Sequence, residues 1–348
     1  MLRYITKKIL YGILVLLGVV ILVFVLFQGF GDPARLVMGQ SGDSTTRANI
    51  RRDLYLDQPK WKQFVLYVND ISPVAIHTAE EIKQKDLTGF FLGSERKLAL
   101  KLPYLRRSYQ SKKPVGTILM EALPGTLMLA LAAMLIAVAL GIPLGVAAAV
   151  KHNTWVDTAA VFSSILGISA PSFFIGIIIA YIFGFVLSDY TGLHITGSWF
   201  DIDEQGRSRL SLQNLILPAI TLGIRPMAII TQLTRSAMLD VLDQDYIRTA
   251  YAKGLSRRRV IWKHGLRNAL NPVVTAITGW FAELLAGAFF IEYIFGWKGI
   301  GKVTVDALEK LDFPVVMGAV LLTSVFFILI NILADILYGI IDPRVRIQ

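Results

Sequence analysis

The run Thr126–Val150, TLMLALAAMLIAVALGIPLGVAAAV, passes 25 residues without a charged side chain. A helix rises about 1.5 Å per residue, so about 20 apolar residues cross a hydrocarbon core of about 30 Å. The run therefore reads as a membrane-spanning helix. Working outward, comparable runs fall at Ile9–Phe27, Val156–Leu187, Leu215–Thr234, Pro272–Phe295 and Val315–Ile341. The expectation is an all-α membrane protein with about six transmembrane helices. The run Val156–Leu187 is interrupted by Ser169-Ala170-Pro171-Ser172, where proline removes a backbone donor. It is either one kinked span or a span followed by an interfacial piece.

Composition agrees. The chain of 348 residues is 54% hydrophobic and 17% charged, against about a quarter charged in a soluble domain. Its net charge of +10 fits Lys and Arg gathered in cytoplasmic loops beside anionic lipid better than it fits nucleic acid. With no cysteine, disulfides, thiolate metal sites and cysteine nucleophiles are excluded. The first span follows Arg3, Lys7 and Lys8, is too long for a signal-peptide core and meets no small-residue cleavage site, so it reads as a retained signal anchor.

Loop charge sets orientation. With the amino terminus inside, segments 1–8, 151–155, 235–271 and 342–348 hold 14 Lys and Arg, and the short outer loops 188–212 and 296–314 hold 5. Both termini are then cytoplasmic by the positive-inside rule. The chain divides into an N-terminal transmembrane helix at 1–30, an extracytoplasmic domain at 31–122, and a membrane core at 123–348 with a cytoplasmic loop at 235–271. The outer segment is polar and mixed in charge; its own core would be thin, so it is expected to fold against the membrane part or a partner.

No enzyme site stands out. The four histidines fall on different loops, none paired at i, i+4 as a helical metal site requires. Gly296–Val303, GWKGIGKV, imitates a phosphate-binding loop, but Val303 stands where a magnesium-binding Ser or Thr is needed and no strand precedes it. It reads as a glycine-rich turn after a membrane helix.

The cytoplasmic stretch Asp245–Pro272, DYIRTAYAKGLSRRRVIWKHGLRNALNP, is more informative. Its first part suits a helix, Gly254 the left-handed position that ends it, and Ser256 the N-cap of a second helix. Arg257, Arg258 and Arg259 then occupy a helix first turn, where the macrodipole disfavours cations, so an anionic neighbour is expected. A basic loop obeying the positive-inside rule explains the charge but not the helix, glycine, helix order.

This stretch resembles the coupling loop, or EAA motif, of permease subunits of binding-protein-dependent ABC importers. Thr249-Ala250-Tyr251-Ala252-Lys253-Gly254 stands at the alanine-rich run, and His264-Gly265-Leu266-Arg267-Asn268 at its H-x-L-x-N ending. The chain is further similar to the dipeptide/oligopeptide branch through GDPA at Gly31–Ala34, LDQP at Leu56–Pro59, LPGTL at Leu123–Leu127, LTRSAML from Leu233, FGWKGIG at Phe295–Gly301 and DPRVR at Asp342–Arg346. It differs by an insertion between about Asp70 and Pro103, by a signature reduced to Arg107-Ser108-Tyr109, and by Glu283 where the branch carries a small or uncharged residue.

The resemblance implies the type I ABC importer permease fold in a bacterial cytoplasmic membrane. It also implies an extracytoplasmic binding protein, a second homologous permease subunit, two ATPase subunits and surrounding lipid as partners, with no nucleic acid. Asp245, Thr249, Ala250, Ala252, Lys253, Gly254, Arg257, His264 and Asn268 would couple to the ATPases. ATP and magnesium would be used by those partners, this chain binding no cofactor. Among polar groups in apolar runs, which should face protein or water, Arg225 and Glu283 are candidates for the translocation path. Glu292 and Asp335 read as structural pairing or cap residues, with substrate contact as the alternative. Peptides are the expected cargo; nickel, glutathione or oligosaccharide are the alternatives within the family. A passive channel or secondary transporter is the rival of a different class, and it would not need the protruding helix, glycine, helix element.

Overall fold

The computed structural model describes residues 2–29, 51, 55–202 and 208–341. The GDPA and DPRVR motifs lie outside them. The chain separates into two compact units, one of residues 1–9, 123–302 and 326–348, the other of residues 10–122 and 303–325. Among the described residues, four helices are long and apolar enough to cross a membrane, five when one bent pair is taken as a single span.

The first unit is built on α4 (Val115–Val150, from Leu123 onward), α5 (Trp155–Ser169), α6 (Ser172–Tyr181), α7 (Ile216–Leu242), α9 (Arg267–Gly287) and α10 (Phe289–Ile294). Pro171 ends α5 and starts α6 with a bend of 106°, so the interrupted third run is two helices. Gly141 and Gly145 are four apart on α4, where an added Cβ would lie 2.9 Å from the Met227 carbonyl and 2.6 Å from that of Thr231. Only glycine allows α4 and α7 this approach. The core between them holds Ala130, Ala133, Ala137 and Ile230, continuing to Ile291, Phe295 and Trp297. On α5, Asp157 receives both Nε and Nη2 of Arg235 from α7, and accepts from the Asn153 amide at 3.1 Å. Asp335, in the last helix, pairs with Lys8 at 2.8 Å, as its structural reading expected.

The expected fifth span, Pro272–Phe295, is divided near Ala288 into α9 and α10. Nor does the helix begin at Pro272: α9 starts at Arg267, continuous with a π-helical turn at Val260–Leu266. Proline is accommodated within the second turn of α9, close to that widened stretch.

The second unit holds α1 (Leu2–Gly29, from Leu10), α2 (Lys60–Ile71), α3 (Ala79–Lys85), the start of α4, the end of α11 (Ile300–Glu309) and the start of α12 (Phe313–Ile341). The mostly helical fold carries a small addition here. Between α2 and α4 stands a three-stranded antiparallel sheet in the order β1 (Val74–Thr78), β3 (Arg96–Lys101), β2 (Gly89–Leu92). The insertion folds as this sheet plus α3, whose Thr78–Glu81 capping box satisfies two end amides. VAIHT and RKLALK alternate with period two, a signal that composition alone hides. Ala75, His77, Ala99 and Lys101 face inward. Val74, Ile76, Phe90, Leu92, Leu98 and Leu100 form the exposed face in register. The core of this unit joins Tyr67 to Val20 and Val23 of α1 and to Phe313, Met317 and Leu321 of α12. The outer segment thus borrows its apolar partners from the long helices.

The Arg107-Ser108-Tyr109 remnant has a structural task in this unit. Ser108 Oγ donates to Asp312 at 2.5 Å and the Tyr109 amide at 2.9 Å, with Ser108 and Asp312 both buried.

Candidate functional site

After α7, Gln244 opens α8 (Asp245–Ala252). Ile247, Ala250 and Val260 are buried together against Val241, Leu242 and Leu255. This small core belongs to the element itself. The helix ends in a Schellman motif: the Leu255 amide donates to the Ala250 carbonyl at 3.3 Å and the Gly254 amide to that of Tyr251 at 2.9 Å. Gly254 has φ +75°, with open space where a Cβ would stand. The glycine is therefore required by backbone conformation and not by crowding.

The predicted coupling residues divide into two sets. Asp245, Thr249, Ala252, Lys253, Gly254 and Arg257 are exposed. Ala250 is only 7% exposed; its small side chain serves inward packing, so close approach from outside falls to Ala252 and Thr249. Ser256 occupies the N-cap position, but its side chain makes no capping bond. Arg257–Arg259 form one exposed turn before the π-helical segment. His264 is half-buried; Asn268 Nδ2 donates to its carbonyl at 3.0 Å and to the Tyr246 hydroxyl at 3.1 Å, tying α8 to the start of α9. Tyr246, Tyr251 and Trp262 remain exposed.

Arg225 and Glu283 are both exposed in the single chain. The Arg225 guanidinium lies 5.6 Å from the Trp280 ring centre, and Trp280 shares a face of α9 with Glu283, three residues on. Sequence reading missed their neighbours. Asn271, Thr275, Gly279 and Glu283 recur every four residues and are all exposed, forming a polar and small stripe along α9. The four-residue spacing was the available signal.

Glu292 is fully buried. Its carboxylate accepts from the Thr126 hydroxyl at 2.7 Å and from the Lys302 amide at 3.1 Å, while Thr126 accepts from the Ile300 amide at 2.9 Å. Trp297 Nε1 donates to the Gly125 carbonyl at 2.9 Å. The amides of the false phosphate loop thus hold the chain's own carboxylate at the start of α11, where the macrodipole favours an anion. This geometry agrees with a structural role for Glu292.

Two family models match the chain: the binding-protein-dependent transport system inner membrane component over residues 141–347, and the N-terminal part of that membrane component over residues 1–130. The dipeptide transport system permease protein DppB of Escherichia coli (strain K12) is 36% identical over 374 residues, covering 99% of each chain. The glutathione transport system permease protein GsiC of Salmonella typhimurium (strain LT2) is 37% identical over 349 residues, again covering 99% of each. An inward-facing structure of the MetNI methionine ABC transporter aligns with a TM-score of 0.48 at 15% identity, over 65% of this chain and 97% of that one. The chain belongs to the family of binding-protein-dependent transport system inner membrane components, the membrane-spanning permease subunits of ABC importers.

Proposed function

We propose that this permease moves di- or oligopeptides inward, and that α8 with its glycine turn transmits the work of ATP hydrolysis carried out by partner subunits. The observation that carries the coupling role is a short exposed helix with its own core, closed by a Schellman turn and followed by three exposed arginines. A loop that only obeyed the positive-inside rule would need none of this. In this reading two ATPases, which bind the ATP and magnesium, receive α8 in a groove, and a second homologous permease completes the path. A binding protein delivers substrate from outside, and both termini are cytoplasmic. The surface offered to the ATPase comprises Asp245, Thr249, Ala252, Lys253 and Arg257, with Ala250, Gly254, His264 and Asn268 shaping it. Arg257–Arg259 would meet acidic groups of the ATPase or lipid head groups.

The polar stripe Asn271, Thr275, Gly279 and Glu283, with Arg225 beside it, supports α9 as a wall of the path, because an intramembrane ionisable group costs at least about 2.5 kcal/mol unless it faces protein or water. Switching would exchange two packed arrangements of the spans. Peptide cargo is supported by the dipeptide and glutathione permeases among the relatives.

Gly254→Val places a β-branched residue in left-handed backbone at a cost of about 1–2 kcal/mol or more, while Gly254→Asn tolerates that conformation. In proteoliposomes with the whole complex, the Val variant is expected to lose ATPase retention and most binding-protein-stimulated uptake of a dipeptide, and the Asn variant to keep both. Wild-type uptake and a retained ATPase in the Val variant would end the coupling assignment. Competition for uptake between dipeptide and glutathione separates the two cargoes.

A further inference from the structure

Within the unit of residues 10–122 and 303–325, Arg106 adopts φ +67°. Its guanidinium lies over the rings of Tyr55 and Tyr67, 5.7 and 5.3 Å from their centres. Arg106 Nε and the Tyr67 hydroxyl are buried, and neither has a hydrogen-bond partner among the described residues. Tyr67 as a whole is 4% exposed. Burial pushes its phenol up to about 12, so the hydroxyl remains a donor. Both residues line one small cavity, together with Ile71, Leu105, Met317 and Gly318, with room for about one water-sized particle.

Among the described residues, the surrounding charges leave this cation without a carboxylate. Asp70 is held by Lys85 at 2.6 Å and by the Tyr55 hydroxyl at 3.1 Å, and its backbone carbonyl accepts from Lys101 at 2.5 Å. Glu81 accepts from the Thr78 amide at 3.0 Å and contacts His77 at 3.3 Å. Among the described residues, Lys85, Lys101 and Arg106 therefore face Asp70 and Glu81 with one positive charge in excess. Two buried donors on the wall call for an acceptor. Water would bring two hydrogens of its own into a wall that is otherwise apolar, where an unmet donor is costly; a spherical anion brings none. Sulfate and phosphate, each with four oxygens around a central atom, are too large for this space, whereas a monatomic halide is only slightly larger than water.

We propose that this cavity binds a single halide ion, chloride in ordinary solution, which accepts from Arg106 Nε and from the Tyr67 hydroxyl. The ion neutralises the excess charge and fills the gap against Met317 and Gly318. The site does not depend on the identity of the transported substrate.

The test uses the assembled full-length transporter, with thermal unfolding compared in chloride, bromide and gluconate at equal ionic strength and pH. Chloride and bromide are expected to raise the midpoint saturably by about 2–4 °C over gluconate. Tyr67→Phe, which keeps the ring and removes the donor, is expected to abolish that difference. Crystals grown in bromide should show an anomalous peak within hydrogen-bond reach of Arg106 Nε and the Tyr67 hydroxyl. Equal midpoints in chloride and gluconate, or a cavity holding only water with no bromide peak, would overturn the proposal; both readings need only the wild-type chain, should Tyr67→Phe fail to fold.

Discussion

At the scale of single residues, Glu292 shows how one buried carboxylate can organise a turn. It joins Thr126 on α4 to the first amides of α11 across 166 positions of sequence. Truncation to Ala leaves the Thr126 hydroxyl and the Lys302 amide without their acceptor, and each buried group so orphaned costs about 1–3 kcal/mol. Glu292→Ala is therefore expected to lower stability by about 2–4 kcal/mol, with Glu292→Gln losing roughly half as much because its carbonyl can still accept one bond. Thermal unfolding of the purified transporter measures both; an unchanged midpoint for the Ala variant would refute the organising role. Ala250 carries a different lesson. The resemblance sets it among the coupling residues, and the structure uses its small side chain for packing against Ile247 and Val260.

At the scale of elements, α9 is the informative helix. Its apolar side is buried at Val273 and Leu284, and the opposite side carries the stripe at Asn271, Thr275, Gly279 and Glu283. The chain has no cysteine, so introduced thiols report without background. In the assembled transporter, Thr275→Cys and Gly279→Cys should react with a charged, membrane-impermeant thiol reagent during turnover, while cysteine at buried Val273 or at the exposed apolar position Leu135 should not. Equal labelling at Thr275 and Leu135 would remove the stripe from the path. The expected fifth span is thus a helix of mixed faces followed, after a break near Ala288, by a short second helix.

At the scale of the whole molecule, orientation and the outer segment give two predictions. A cysteine at Ser256 should stay unlabelled by an impermeant reagent in intact cells and react in inverted vesicles; labelling from outside would reverse the assigned topology. The outer segment should respond to pH through two inward-facing bases. Burial, reinforced by Lys85 and Lys101 and opposed by Glu81, holds the His77 imidazole below its ordinary 6.5. Burial also brings Lys101 down from 10.5 to about 8, Asp70 opposing. In each case the unfolded chain binds more protons than the folded one between the lowered and the ordinary value, so stability rises with pH through that window. The unfolding midpoint of this segment should therefore fall as pH drops below about 6.5 and rise between about pH 8 and 10.5. His77→Leu should flatten the acid limb, and an acid limb unaltered by that variant would exclude His77 as its source.

The sequence by itself determined what local chemistry decides. Uninterrupted apolar runs require lipid whatever their neighbours, so the membrane class and most spans were legible; Gly254 requires left-handed backbone, so the helix, glycine, helix order was legible too. Pro171 marked a break whose angle it could not specify. Tertiary structure alone decided which side chain meets which: that Ala250 turns inward, that the false phosphate loop grips Glu292, that the insertion pairs as β1-β3-β2, and that Arg106 and Tyr67 bring two bare donors to one cavity. These depend on partners in other elements, as far as 166 residues away in sequence, and no local propensity encodes the position that another element's backbone will occupy once the helices have packed.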